Sequence, residues 1–384
     1  MFVYVQHLLG IGHLKRAATL ARALVDAGLE VTLASGGPPV AGIAADGARV
    51  VQLPPASAAD MTFKTLLDES GRPIDAAWRQ RRSDALLDAW RACRPHVLVL
   101  ELYPFGRRQM RFELLPLLGA AGAAAPRPAI VCSVRDLLGG QRSRERQEET
   151  LGVVERFIDH VLVHSDPSVI RLEQTFALAP RLGTKVEYTG YIVDSHPHRI
   201  DGSAGKDEVI VSAGGGAVGE ALLEAAMRAR HLTGLGDRIW RVLAGHNLSE
   251  EAYGKLQRLA AQSGHGGIIL ERARPDFTTL LANCMLSVSQ AGYNTLMETL
   301  DAGARAVVVP FAGGDETEQT QRARCFAERG LLEMVEEQAL SPQALAAAIE
   351  RAVRKPRSKP DAVNLGGAGR SATLVAQWAR ERPS

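Results

Sequence analysis

Twice along this chain a short apolar run ends at glycines and passes straight into an amphipathic stretch. The first is Phe2–Val5, followed by Gly10-Ile11-Gly12-His13-Leu14. The second is Val209–Ser212, followed by Ala213-Gly214-Gly215-Gly216-Ala217-Val218-Gly219. A strand that feeds a helix through a tight glycine turn opens a parallel βαβ unit. Continuous apolar strands alternating with helices belong to a sheet covered on both faces. After the first opening, Val31–Ala34, Val50–Leu53, Val97–Glu101, Ile130–Val134 and Val161–His164 read as strands. After the second, Ile239–Ala244, Gly267–Leu270, Met285–Val288 and Ala306–Val309 do the same. The pattern predicts an α/β chain of two Rossmann-like halves, residues 1–195 and 207–365. A polar stretch, 196–206, joins them. The tail 366–384 holds a last helix from about Ala368 to Arg380, expected to pack back on the first half. In such sheets ligands bind beyond the carboxyl ends of the strands, so two halves facing across a cleft would put their chemistry there.

Composition narrows the class of protein. At 384 residues the chain suits two cores, at roughly 150 residues each. It is 46% hydrophobic and 23% charged, which excludes a disordered chain. A net charge of +2 lacks the basic bias of a nucleic-acid binder, so no nucleic acid is expected as partner. Cys93, Cys132, Cys284 and Cys325 lie far apart, without metal-ligand spacing or a disulfide framework. The first residues, MFVYVQHLLGIGHLKRA, read as a strand and loop rather than a signal peptide. No run reaches the roughly 18 apolar residues of a membrane span. A cytoplasmic protein is expected.

The most specific segment is Ser289-Gln290-Ala291-Gly292-Tyr293-Asn294-Thr295-Leu296-Met297-Glu298. A strand ends at Ser289, Gly292 turns the backbone, and a helix beginning near Thr295 would aim free N–H groups at an anion such as phosphate. Glu298 could accept hydrogen bonds from vicinal ribose hydroxyls. It could equally close a capping box with Thr295 as N-cap. Gly214, Gly215 and Gly216 after Ser212 allow close approach of backbone to phosphate oxygens, and no Lys-Ser/Thr follows them as in a P-loop. Asp315-Glu316-Thr317-Glu318-Gln319 follows a strand and suits sugar hydroxyls, or else a charged first helical turn.

In the first half, Gly10 and Gly12 open space after strand one and set His13 at the next helix start. A near-neutral histidine there can take a proton from a hydroxyl, and a helix N-terminus keeps it uncharged. Glu101 and Asp136 also fall at strand ends. Either could orient His13 or be the base itself, and Asp136 beside Arg135 also reads as an ion pair. Arg107, Arg108 and Arg111 form a cluster that is either solvated or grips an anionic acceptor or membrane surface. Arg142, Arg144 and Arg146 alternate with glutamate as on an exposed helix face.

Together these segments resemble glycosyltransferase family 28, which includes peptidoglycan N-acetylglucosaminyl transferases. The likeness is clearest over about residues 209–330 and points to a bacterial branch of that family. It implies the GT-B fold, with a nucleotide diphosphate sugar, a UDP-sugar by resemblance, bound mostly by the second half. By resemblance Glu298 holds the donor ribose and Gly214–Gly216 face the diphosphate. Ser289, Gly292, Asn294 and Thr295 belong to the same donor segment. Arg272 to Arg274 contact the base through backbone, and Glu318 and Gln319 meet the sugar hydroxyls. The family has paired glutamines there; here the first is an acid and the spacing is one residue longer. Gly12-His13 is similar to the acceptor-side loop, and Glu187–Val193 to the interdomain hinge.

The resemblance implies inverting displacement at the anomeric carbon without a metal or other cofactor. The acceptor stays open between a lipid-linked sugar, a polysaccharide, a natural product and a protein. The first of these would bring peripheral contact with the inner face of the membrane. Two other readings share the donor half: a nucleotide-sugar 2-epimerase or hydrolase, and a non-catalytic sugar-nucleotide-binding protein.

Overall fold

The computed structural model describes residues 1–381 except 41, 44, 61–62, 141–142, 195–201, 215–218, 263–265, 314–316 and 360. The chain divides into two compact units. One is Met1–Ile192 together with Asn364–Ser384, and the other is Val193–Val363. Residues 196–201 of the expected linker lie outside the described residues.

The first unit contains β1 (Phe2–Val5), β2 (Thr32–Ser35) and β3 (Arg49–Gln52). A two-stranded antiparallel hairpin follows, β4 (Ser57–Ala58) and β5 (Leu66–Leu67). Then come β6 (Val97–Glu101), β7 (Ala129–Arg135), β8 (His160–His164) and β9 (Val186–Tyr188). The seven longer strands form one parallel sheet in the order β3-β2-β1-β6-β7-β8-β9. Its helices are α1 (Gly12–Asp26), α2 (Ala76–Cys93), α3 (Arg111–Ala123) and α4 (Arg144–Phe157).

The second unit has β10 (Val209–Ser212), β11 (Trp240–Ala244), β12 (Ile268–Arg272), β13 (Leu286–Ser289), β14 (Ala306–Val308) and β15 (Glu333–Met334). They form a parallel sheet in the order β12-β11-β10-β13-β14-β15. Its helices are α5 (Glu220–Ala229), α6 (Glu250–Gln262), α7 (Phe277–Asn283), α8 (Tyr293–Asp301), α9 (Glu318–Glu328) and α10 (Pro342–Arg354). The final helix, α11 (Gly367–Arg380), belongs to the first unit.

Side chains alternate across a strand, so each buried strand supplies two cores. Phe2, Tyr4, Leu98 and Leu100 join Leu86, Trp90, Leu114 and Leu117 on one face of the first sheet. Val3, Val5, Val97 and Val99 join Leu20, Leu24, Val375 and Trp378 on the other. α11 thus shares a core with α1. The Trp378 ring also stacks on His160, with centroids 3.7 Å apart and planes 6° from parallel. At Gly367 any side chain would collide with the chain itself, since a Cβ there would sit 2.3 Å from the Gly190 carbonyl oxygen.

Both sheets reverse their strand order once, between β1 and β6 and between β10 and β13. Loops diverge at such a point and leave a crevice at the carboxyl ends of the two strands.

Candidate functional site

In the first unit, α1 begins at Gly12 with Ile11 as an N-cap that makes no side-chain bond. His13 is therefore the second residue of the first helix after β1. Parallel register sets Glu101 beside Ser133 and Arg135 beside His164 on neighbouring strands. His13, Glu101, Ser133 and His164 thus meet across the ends of β1, β6, β7 and β8.

The His13 Nδ1 lies 3.0 Å from Glu101 Oε1. A carboxylate only accepts, so Nδ1 carries the proton and Nε2 keeps a lone pair. Arg16, one helical turn on, also donates to Glu101 Oε1. Its Nη2 is 3.0 Å from His13 Nδ1. Both nitrogens are donors, and the carboxylate is their shared acceptor. Glu101 Oε2 accepts from the Ser133 hydroxyl at 2.6 Å. Glu101 and Arg16 side chains are each 2% exposed, whereas the His13 side chain is 12% exposed and can meet a ligand.

Burial alone would raise the Glu101 carboxyl. The Arg16 charge and the bonds from His13 and Ser133 outweigh it and hold the group well below the usual carboxylate range. His13 is lowered well below its ordinary value by burial, then by the Arg107 charge nearby, against the opposing bond to Glu101. Arg107 itself has a left-handed backbone, with φ of +59°. Its Nε donates to the Gln6 carbonyl at 2.7 Å, which brings it to the end of β1. Burial, and then the like charge of Arg135, push its pKa down to about 10.

Asp136 is wholly buried, and its Oδ1 accepts from the Leu137 amide at 2.8 Å. Gly10 is open, with no atom within 4 Å of a Cβ built there. Of the arginine cluster, Arg108 and Arg111 pair with Glu149 on the surface.

In the second unit, Ser212 and Ser289 are register partners at the ends of β10 and β13. The Gly214 amide donates to Ser212 Oγ at 3.2 Å, so this amide serves the turn itself. Gly214 has φ of +71°, a conformation open to glycine, and a Cβ there would lie 3.9 Å from Thr295 Oγ1. The glycine loop and the start of α8 are therefore neighbours. Gly215 and Gly216 lie outside the described residues.

α8 starts at Tyr293, two residues earlier than the sequence pattern placed it. Gly292 is its N-cap, and no side chain caps it. The capping-box reading of Thr295 and Glu298 is corrected by this: Thr295 lies inside the first turn and Glu298 well beyond it, so Glu298 cannot reach back to an N-cap amide. Glu298 is 5% exposed and Asn294 half-buried. Ser289 Oγ is buried without a hydrogen-bond partner.

The Arg272 guanidinium donates to the carbonyls of Gly245 (3.1 Å) and Leu248 (2.9 Å) and stacks over Tyr253. Arg274 forms a fork with Asp276 at 2.8 and 2.6 Å. Both side chains are thus bound to protein groups. Glu318 is the first residue of α9, buried, and 3.8 Å from Arg322. Arg322 donates to the Ala291 carbonyl at 3.3 Å and lies over the Tyr293 ring. Gln319 Oε1 accepts from the Phe311 amide at 3.1 Å. The charged-first-turn reading describes Glu318 and Gln319 as they stand, while Asp315 and Glu316 lie outside the described residues.

Sequence reasoning missed Arg16, Ser133, His164 and Arg322. Arg16 had a signal, since it follows His13 by three on a helix and so shares its face. Ser133 and His164 sit inside runs that read only as strand. Among the described residues no group of three His, Cys, Asp or Glu side chains could hold a metal ion, and no helix is long and apolar enough to cross a membrane.

Residues 257–371 match the glycosyltransferase family 28 C-terminal domain. No curated protein sequence matches the chain. Among solved structures, Os79 of O. sativa in complex with UDP and deoxynivalenol-3-glucoside is 15% identical, with a TM-score of 0.63 and 100% of each chain covered. MurG of Acinetobacter baumannii is 14% identical at a TM-score of 0.62, covering 98% of this chain and 99% of that one. Glycosyltransferase VinC in complex with dTDP is 15% identical at 0.59, covering 100% and 96%. These likenesses extend over both units and share the GT-B fold. The chain therefore carries a glycosyltransferase family 28 C-terminal domain on a GT-B fold and is a glycosyltransferase.

Proposed function

We propose that the protein transfers a sugar, with inversion and without a metal, from a UDP-sugar to the hydroxyl of an acceptor. The observation that carries this reading is the His13–Glu101 pair. The carboxylate holds the Nδ1 proton, so Nε2, with its lone pair, is the base that removes the acceptor proton. Glu101 orients the ring and stabilises the imidazolium that forms. Asp136 is wholly buried and accepts from the Leu137 amide, so in this reading the proton goes to His13. A single base that activates the acceptor fits one direct displacement, hence inversion.

The second unit holds the donor. The uncapped start of α8 offers N–H groups to the diphosphate, and the charge that develops on it as the bond breaks is stabilised there. Glu298 takes the ribose hydroxyls. UDP is preferred on the family resemblance. Os79 was solved with UDP and VinC with dTDP, so both nucleotides belong in the test.

Calorimetry with UDP-sugars and dTDP-sugars, followed by turnover with a panel of hydroxyl acceptors, tests the reading. Donor binding in the micromolar range and acceptor-dependent release of nucleotide, undiminished by EDTA, are expected. Epimer or free sugar formed at the same rate without any acceptor would replace this reading with an epimerase or a hydrolase.

A further inference from the structure

The carboxylate beside His13 is held from behind by a buried chain of neutral groups. Ser133 spends its hydroxyl proton on Glu101 Oε2 at 2.6 Å. Its oxygen must then accept from His164 Nε2, which lies 2.8 Å away. With the proton on Nε2, the His164 Nδ1 accepts, and the Thr189 hydroxyl stands 2.9 Å from it. The protons of His164 Nε2 and Ser133 thus point toward Glu101, while the Thr189 hydroxyl has a second acceptor 2.9 Å away in the Gly190 carbonyl. Ser133, His164 and Thr189 are 1%, 0% and 0% exposed, so no water substitutes for a lost link.

We infer that Ser133 and His164 are positioning residues for the base, fixing the orientation of the Glu101 carboxylate and, through it, the tautomer and proton affinity of His13. The inference rests on the reading of His13 as base, and it adds two residues that touch neither substrate. A carboxylate with one oxygen pinned cannot rotate, so Oε1 stays turned to His13 and Arg16. Donation to Oε2 also spreads the negative charge and weakens the pull of Oε1 on the His13 proton. Chains of this kind polarise each other, so the most distant link is felt at the end. Burial keeps His164 neutral, at a pKa of about 3, with Arg16 adding to the effect. A charged His164 would donate at both nitrogens and reverse the Thr189 link.

The charged and titratable groups around this chain are Arg16 from α1, Glu101 at the end of β6, Arg107 from the loop after it, Arg135 at the end of β7 and His13 itself. The arginines lower the proton affinity of His13, and Glu101 raises it. Loss of the Ser133 hydroxyl concentrates charge on Oε1 and so favours the protonated ring.

The test needs no acceptor. Full-length protein labelled with 15N-histidine is titrated by NMR, and the His13 ring signals are assigned by their loss in His13→Gln. In the wild type the proton is expected on Nδ1 with Nε2 bare. In Ser133→Ala the His13 midpoint is expected to rise by about half a pH unit or more, roughly a threefold change in proton affinity. His164→Leu should shift it in the same direction, and His164→Gln, which keeps an N–H donor, should restore it. Should Ser133→Ala fail to fold, Ser133→Cys carries a weaker donor of similar size and should show a smaller rise. A His13 midpoint and tautomer identical to wild type in both folded Ser133 and His164→Leu variants overturns the inference, because a chain that only fills the core would leave that ring untouched. The base reading fails by a different signal, undiminished turnover of a UDP-sugar in His13→Gln, so the two failures are told apart.

Discussion

The two switch points of this molecule are built alike and equipped differently. Each lies between a central strand and its neighbour, and each is followed by a helix. In the first unit the polar atoms of the candidate site are side chains: His13 is set by Glu101, and Glu101 by Arg16 and Ser133. In the second they are mostly backbone, from a glycine N-cap and the helix behind it. Main-chain donors come with the helix and need no counter-charge. An ionised carboxylate buried at 2% exposure stands only while every partner is present. Site geometry and stability are therefore coupled most tightly in the first unit.

That contrast can be broken most sharply at His13. Replacing it with alanine should lower turnover by about 10²–10⁴ and leave donor affinity unchanged, as read by steady-state kinetics beside calorimetry. A loss of donor affinity instead would mean that the units do not divide the work. Arg16→Leu should cost about 3–5 kcal/mol of stability in urea unfolding, because Glu101 is left buried without its counter-ion. The exposed pair Arg228–Glu224 of the second unit is the control, and Arg228→Ala should change stability by less than about 1 kcal/mol. Equal losses in the two variants would erase the distinction.

Glu298→Ala should weaken UDP-sugar binding by about ten- to a hundredfold, the range of a hydrogen bond to a charged group. Unaltered affinity would remove the ribose role. The smallest effect concerns pH. An unfolded chain protonates this imidazole below about pH 6.5, while folded His164 resists down to about 3. Its contribution is intact above 6.5 and is lost as pH falls through that window. Between pH 6.5 and 5.5 the loss is about 1 kcal/mol. His164→Gln should show that much less acid sensitivity in urea unfolding, and an identical pH dependence would show His164 protonated in the folded state as well.

Much of the fold was legible because parallel strands write themselves as unbroken valine, isoleucine and leucine runs. β1, β6 and β10 fall where the pattern sets them. The start of α8 was misread because Thr295 and Glu298 imitate a capping box, while the true cap, Gly292, has no side chain with which to announce itself. His13 and Glu101 stood out as polar residues closing apolar runs. That Glu101 is placed to orient the His13 ring depended on their 3.0 Å separation, which spacing of 88 residues along the chain cannot give. Ser133 and His164 were hidden for a related reason. Inside a buried strand, nothing in the sequence separates a polar residue that finds a partner on the next strand from one that merely fills space.

One consequence belongs to how the molecule comes into being. The ridge of α1 that carries Leu20 and Leu24 is sealed by Val375 and Trp378 of the last helix. During synthesis the second unit emerges and can close on itself while the first still shows that greasy seam to its surroundings. The half made first is thus the half completed last, with that seam uncovered until the tail arrives.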